Sequence, residues 1–115
     1  MPYCSAADVR LLSGITSDVI SDIDLEGFIE FSDQQINDDL GSFSAPFPTR
    51  IKDLSALLTA IRLFNRPDLR FRVSQTGLTE QDIEKALERW RREVNRIYAY
   101  YGKVVSEAPD SLKMV

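Results

Sequence analysis

A single apolar seam near the end of the chain does most to limit its fold. Ile83, Leu87, Trp90, Val94, Ile97 and Tyr101 recur at steps of 4, 3, 4, 3 and 4 residues. That spacing keeps side chains on one stripe of an α-helix, whereas a strand repeats every two residues and cannot hold it. Thr79 stands ahead of the seam with Asp82 three residues on, the arrangement of a capping box. Gly102 follows it as a stop. A long helix with one apolar stripe needs other elements to cover that stripe.

The rest of the chain supplies helices for the purpose. Ser5 caps a short one over Ala6–Leu12, with Asp8 closing the box and Val9, Leu11 and Leu12 as its apolar members. Ser13-Gly14 ends it. Ile15–Ser21 reads as a linker, and Ser17 or Ser21 can cap a second helix from about Asp22 to Leu40. Ile23, Phe28, Ile29, Ile36 and Leu40 give that helix an apolar face, which Ser32 and Gln35 leave patchy. Ser42–Thr49 is a loop, stiffened by Pro46 and Pro48 and made apolar by Phe43 and Phe47. Thr49 caps a third helix, Arg50–Asn65. Its Ile51, Leu54, Leu57, Leu58, Ile61 and Phe64 mark it as the central core helix.

Asp68–Gly77 reads two ways. Phe71-Arg72-Val73-Ser74 alternates as a short strand would, able to pair with a neighbouring subunit; an exposed loop fits as well. Lys103–Val115 reads as a mobile tail. The expectation is therefore all-α: a small four-helix domain over 1–102, a short loop or strand-like segment between its third and fourth helices, and a flexible C-terminal tail over 103–115. At 115 residues, one domain is enough.

Charge divides this chain sharply. Residues 1–49 carry nine acids against a single base, Arg10, while residues 50–115 carry thirteen bases against nine acids. Such polarity suggests a subunit whose two sides meet different surfaces, or each other. Three groups are candidates for a subunit interface. The acids are Asp33, Asp38 and Asp39 on the second helix. The bases are Arg62, Arg66, Arg70 and Arg72 around the exit of the third, and Lys85, Arg89, Arg92 and Arg96, a stripe opposite the seam. Asp38 and Asp39 sit at a helix C-terminus, where the dipole disfavours them, so something outside the helix is expected to compensate. Tyr98 and Tyr100 are further interface candidates.

The residues give little room for catalysis. The chain has no histidine and one cysteine, Cys4. A His-dependent nucleophile, an internal disulfide and a cysteine zinc site are all excluded. Cys4 fits a small packing residue. The acids from Asp18 to Asp33 lack the alternation, central glycine and closing glutamate of a calcium loop. Adjacent Asp38 and Asp39 point about 100° apart on a helix and do not converge. The glycines are scattered and form no phosphate loop. No catalytic residue, cofactor or metal is expected. No uncharged stretch is long and apolar enough for a membrane span, and MPYCSAADV lacks the charge and apolar pattern of a secretion signal.

Several segments resemble the small head–tail connector proteins of tailed phages. The opening PYCSAADVRLLSG is similar to the start of these adaptor or head-completion proteins, with a Tyr before a short Ala-Asp-Val helix. ISDIDLEGFIEFSDQQINDDLG looks like their second helix, closing on Ile36, Asn37, Asp38, Asp39 and Leu40. IKDLSALLTAIRLFNR is similar to the central helix. ALERWRREVNRIYAYYGKV resembles the last helix of the Mu-type tail–head joining subgroup. Together these segments span most of residues 2–105. The long Pro67–Gly77 segment departs from the pattern.

The resemblance implies a virion structural protein, not an enzyme. It implies a homo-oligomeric ring, a dodecamer, beneath the portal protein, prolonging the DNA channel and docking a stopper or tail-completion protein. DNA would pass through the lumen without specific recognition. The place implied is the virion neck, assembled in the host cytoplasm. In that setting an acidic face over residues 18–39 meets a basic face over 62–72 or 85–96. A small helical regulatory or nucleic-acid-associated adaptor is the rival reading, resting on the Lys85–Arg96 stripe.

Overall fold

Five helices follow one another along the chain: α1 (Ala6–Ser13), α2 (Asp22–Leu40), α3 (Thr49–Asn65), α4 (Pro67–Ser74) and α5 (Glu80–Tyr100). The structure, a computed structural model, describes residues 2–102, and no strand occurs among them. The expected tail, 103–115, lies outside the described residues. None of the described helices is long and apolar enough to cross a membrane.

Helix α3 is the hub. It packs against all four other helices, with α2 and α5 as its largest neighbours. Ile51, Leu54, Leu58, Leu63 and Phe64 are buried along it. The α5 seam lies against this helix, with Ile83, Leu87, Trp90, Val94 and Ile97 buried and Tyr101 half-buried. Phe64 and Trp90 meet edge to face, their centroids 5.0 Å apart, a geometry that aromatic quadrupoles favour. Each such buried side chain contributes on the order of 1.5–3 kcal/mol. The capping boxes Ser5/Asp8 and Thr79/Asp82 both form, and Ser21 caps α2.

Two local expectations need correction. The first is the segment after Pro67, which is the helix α4 rather than a strand or loop, so the domain has five helices and not four. Proline at the first helical position has its φ already set and lacks only an N–H the helix would leave unpaired. Arg66 before it is extended, at φ −83° and ψ 124°, as a residue preceding proline tends to be. The chain kinks there and restarts. Leu69 and Val73, four apart, are buried, while Phe71 between them is exposed. The repeat is helical. Arg70 then bridges to Glu80 and Glu84, tying α4 to the start of α5.

The second correction concerns Thr49, which lies inside α3 rather than capping it. Pro48 is the cap residue, no side chain caps the helix, and its carbonyl accepts from the Ile51 and Lys52 amides. Ile15–Ser21 is the expected linker between α1 and α2, and its Ile15, Val19 and Ile20 are buried. Arg10 holds this turn, donating to the Ile15 and Ile20 carbonyls and to Asp22.

The patchiness of α2 has a structural cause. Its buried face is Leu25, Ile29, Ser32 and Ile36, not the Ile23-led face expected. The polar positions meet polar partners on α3. Thr59 Oγ1 donates to Ser32 Oγ at 2.9 Å, Ser55 Oγ donates to Asp33 Oδ1 at 2.6 Å, and Arg62 Nη2 donates to Gln35 Oε1 at 2.7 Å. Buried polar groups are tolerated when paired in this way.

Candidate functional site

The charged candidates separate into those the fold uses and those it leaves free. Asp33 is half-buried and accepts from Ser55 and from the Tyr3 amide at 2.9 Å. Burial raises its pKa, against the opposing effect of these hydrogen bonds. Asp39 accepts from the buried Tyr98 hydroxyl at 2.7 Å. This bond compensates part of the acidic C-terminus of α2, and it makes Tyr98 a core residue rather than an interface one. Asp38 is exposed, with no ion-pair partner among the described residues.

The bases divide likewise. Arg62 is half-buried against Gln35. Arg66 pairs with its neighbour Asp68, Arg70 with Glu80 and Glu84, and Arg72 donates to the Val19 carbonyl at 3.1 Å. The α5 stripe is more open. Lys85 and Arg89 have no ion-pair partner among the described residues; Arg92 stands 4.0 Å from Glu88, and Arg96 pairs with Glu93. The structure therefore does not gather the eleven candidates into one site. It leaves Asp38, Lys85, Arg89 and the loosely held Arg92 as charges that a neighbour can meet.

Two apolar surfaces went unmarked in the sequence reading. The first is a ridge on α2. Ile23 and Phe31 are 80% and 60% exposed. With Gly27 between them they follow steps of four, so they share a face opposite Leu25, Ile29 and Ile36. Asp24, Glu30 and Asp38 lie on the same outward side. Its chain neighbours and its own helix backbone aside, no atom lies within 4 Å of where a Gly27 Cβ would sit. A mid-helix glycine costs about 0.5–1 kcal/mol relative to alanine, and no internal packing accounts for this one. Helical 100° stepping from Leu25 was the signal that could have found the ridge.

The second surface is a groove where α1, the first half of α3 and the last half of α5 meet. Leu11, Leu12, Ala56, Leu57 and Ile97 line it. Leu11 is 88% exposed, the most exposed large apolar side chain among the described residues. Lys52 is on the rim. Asp8, Asp53 and Glu93 line the groove as well, so its charged lining is acidic overall, with Glu93 bridged by Arg96. Arg50, one turn before Leu54, stacks over the Tyr100 ring at 3.8 Å.

No family model, curated protein or solved structure matches this chain.

Cys4 is buried and its Sγ lies 3.2 Å from Ser55 Oγ. Ser55 gives its proton to Asp33, so the thiol is the donor in that contact. Burial pushes the thiol up to about 11, which keeps it protonated and weakly nucleophilic near neutrality. Among the described residues, no group of three or more His, Cys, Asp or Glu side chains is placed to hold a metal.

Proposed function

We propose that this chain is a non-catalytic structural subunit of a tailed-phage neck. It is a head–tail connector that forms a ring beneath the portal, prolongs the DNA channel and docks a stopper or tail-completion protein. In this reading it assembles in the host cytoplasm and resides in the virion neck. The ring is a dodecamer, and DNA passes through it without being read.

The observation that carries this reading is where the uncommitted charge sits. The free acids Asp24, Glu30 and Asp38 lie on the outer face of α2. The free bases Lys85 and Arg89 lie on the outer face of α5. Both helices pack on α3 and have no comparable contact with each other. A subunit with an acidic flank and a basic flank is suited to a heterologous contact, in which each copy offers different faces to its two neighbours. Opposite charge on those faces speeds encounter and fixes register.

Negative-stain microscopy of the chain mixed with its cognate portal ring tests the reading. An added collar of density on the portal is expected. A portal that stays bare at saturating protein overturns it.

The exposed α5 stripe favours one second reading, a helical adaptor that touches nucleic acid. Fluorescence anisotropy with duplex DNA separates the two. The connector reading expects no saturable binding. Micromolar binding that weakens steeply between about 50 and 200 mM salt supports the adaptor.

A further inference from the structure

We propose that the groove between α1, α3 and α5 receives an amphipathic helix with basic flanks, supplied by a partner protein. The inference goes beyond the ring reading and does not depend on it.

The three helices share the lining. Its floor is apolar, made by Ala56 and Leu57 of α3 with Ile97 of α5. Leu11 and Leu12 of α1 form an apolar wall. Each helix also contributes one acid: Asp8 from α1, Asp53 from α3 and Glu93 from α5. Asp53 has no ion-pair partner among the described residues. Asp8 accepts from the neutral Ser5 amide, which leaves its charge in place. Glu93 is bridged by Arg96, yet both side chains are exposed, and a surface pair of that kind is weak enough for a competing cation to displace. Lys52 is the one base in the lining. It also borders the adjoining hollow beside Pro2 and Phe47, so it stands at the edge of the groove.

This lining selects among the ways a protein captures a segment of another. Strand addition needs an open sheet edge, and no strand occurs among the described residues. Proline-rich segments dock between aromatic walls, and no aromatic is among the described residues lining this groove. A helix fits. Apolar side chains at i, i+3, i+4 and i+7 reach the floor, and lysines or arginines beside that stripe meet an acid on every wall. The same acids repel phosphate, whether of nucleic acid or of anionic lipid. A second copy has the wrong charge, since its exposed Ile23 and Phe31 lie on α2, a helix with many acids and no base.

Two synthetic helical peptides of about 18 residues test the proposal. They share one leucine stripe; the flanking positions are lysine in one and glutamate in the other. In NMR titration at about 0.15 M salt, the lysine peptide is expected to bind saturably. Its shifts should centre on Leu11, Leu12, Leu57 and Ile97, and the glutamate peptide should bind at least tenfold more weakly. Leu11→Ser should weaken the lysine peptide at least fivefold. Asp53→Lys should weaken it as much and strengthen the glutamate peptide. Both substituted side chains are exposed, so circular dichroism should match that of the unaltered chain.

No saturable binding overturns the proposal. So does equal binding of the two peptides, or binding that both substitutions leave unchanged, which is general attraction to an acidic protein. Groove signals that shift when the chain alone is concentrated assign the groove to a second copy and overturn it as well. None of these outcomes touches the ring reading, which falls on a bare portal in the microscopy experiment.

Discussion

Asp33 shows how a residue can carry the right charge and the wrong assignment. By composition it is one more acid on an acidic helix. In the fold it fastens the N-terminal segment, taking the Tyr3 amide on one oxygen and the Ser55 hydroxyl on the other. Tyr3 in turn pairs with Asn37 and accepts from the Phe43 amide at 3.0 Å. Burial, with a smaller push from Glu30, raises the Asp33 pKa above its ordinary value despite the Ser55 and Tyr3 hydrogen bonds. A carboxyl raised in the folded state binds more protons there than in the unfolded chain. Its contribution to stability is complete below the ordinary carboxylate pKa and is lost as pH rises through the folded value. Asp33→Asn abolishes that titration. Urea unfolding at pH 3 and pH 7 is expected to show the difference between variant and parent moving in the variant's favour at pH 7. An unchanged difference would mean that Asp33 titrates normally. Partners 22 to 59 residues distant cannot be read from a local pattern, which is why Asp33, Asp39 and Arg62 looked like free charges.

At the scale of elements, regular apolar spacing was legible and short interruptions were not. The α5 seam and its caps could be read in full because six positions agree with one period and both ends carry stop and start signals. The α3 core face was legible for the same reason. Helix α4 was not, because eight residues contain barely two turns and Phe71-Arg72-Val73 mimics alternation. Pro67, two residues past the last residue of α3, begins a helix of its own. Val73→Ala should therefore cost about 0.5–1.5 kcal/mol or somewhat more, as buried methyl removal does. Phe71→Ser should stay within about 0.5 kcal/mol, as exposed substitutions do. Chemical denaturation of the two variants checks this. Equal losses would put both side chains on one face and argue for the strand. The ridge on α2 was missed through the opposite error: Ile23 was placed in the core because it is apolar, though its helical phase sets it against Leu25 and Ile29.

The whole molecule is a flattened body with Cα extents of 39 × 31 × 18 Å, in which α3 packs between the acidic α2 and α5, a helix of balanced charge with a basic outward stripe. If association joins those flanks, it should be steered by charge and held by apolar contact. Raising salt from about 0.1 M to about 1 M shortens the Debye length from about 10 to about 3 Å. The association rate, followed by stopped-flow light scattering, is expected to fall several-fold while the dissociation rate changes little. Equal changes in both would place the charges inside the contact rather than around it. The division of charge was plain from the sequence, yet only the fold tells which charges remain available.

The paired polar groups between α2 and α3 have a consequence for alignment. Apolar side chains slide past one another at small cost, but Ser32 with Thr59, Asp33 with Ser55 and Gln35 with Arg62 fit in one register only. Sliding α2 by a single turn would strand all three pairs together, at about 1–3 kcal/mol for each buried group left without its partner. The seam thus works as a key with three teeth. It lends little strength, but it decides which way the acidic flank faces and so where the ridge stands.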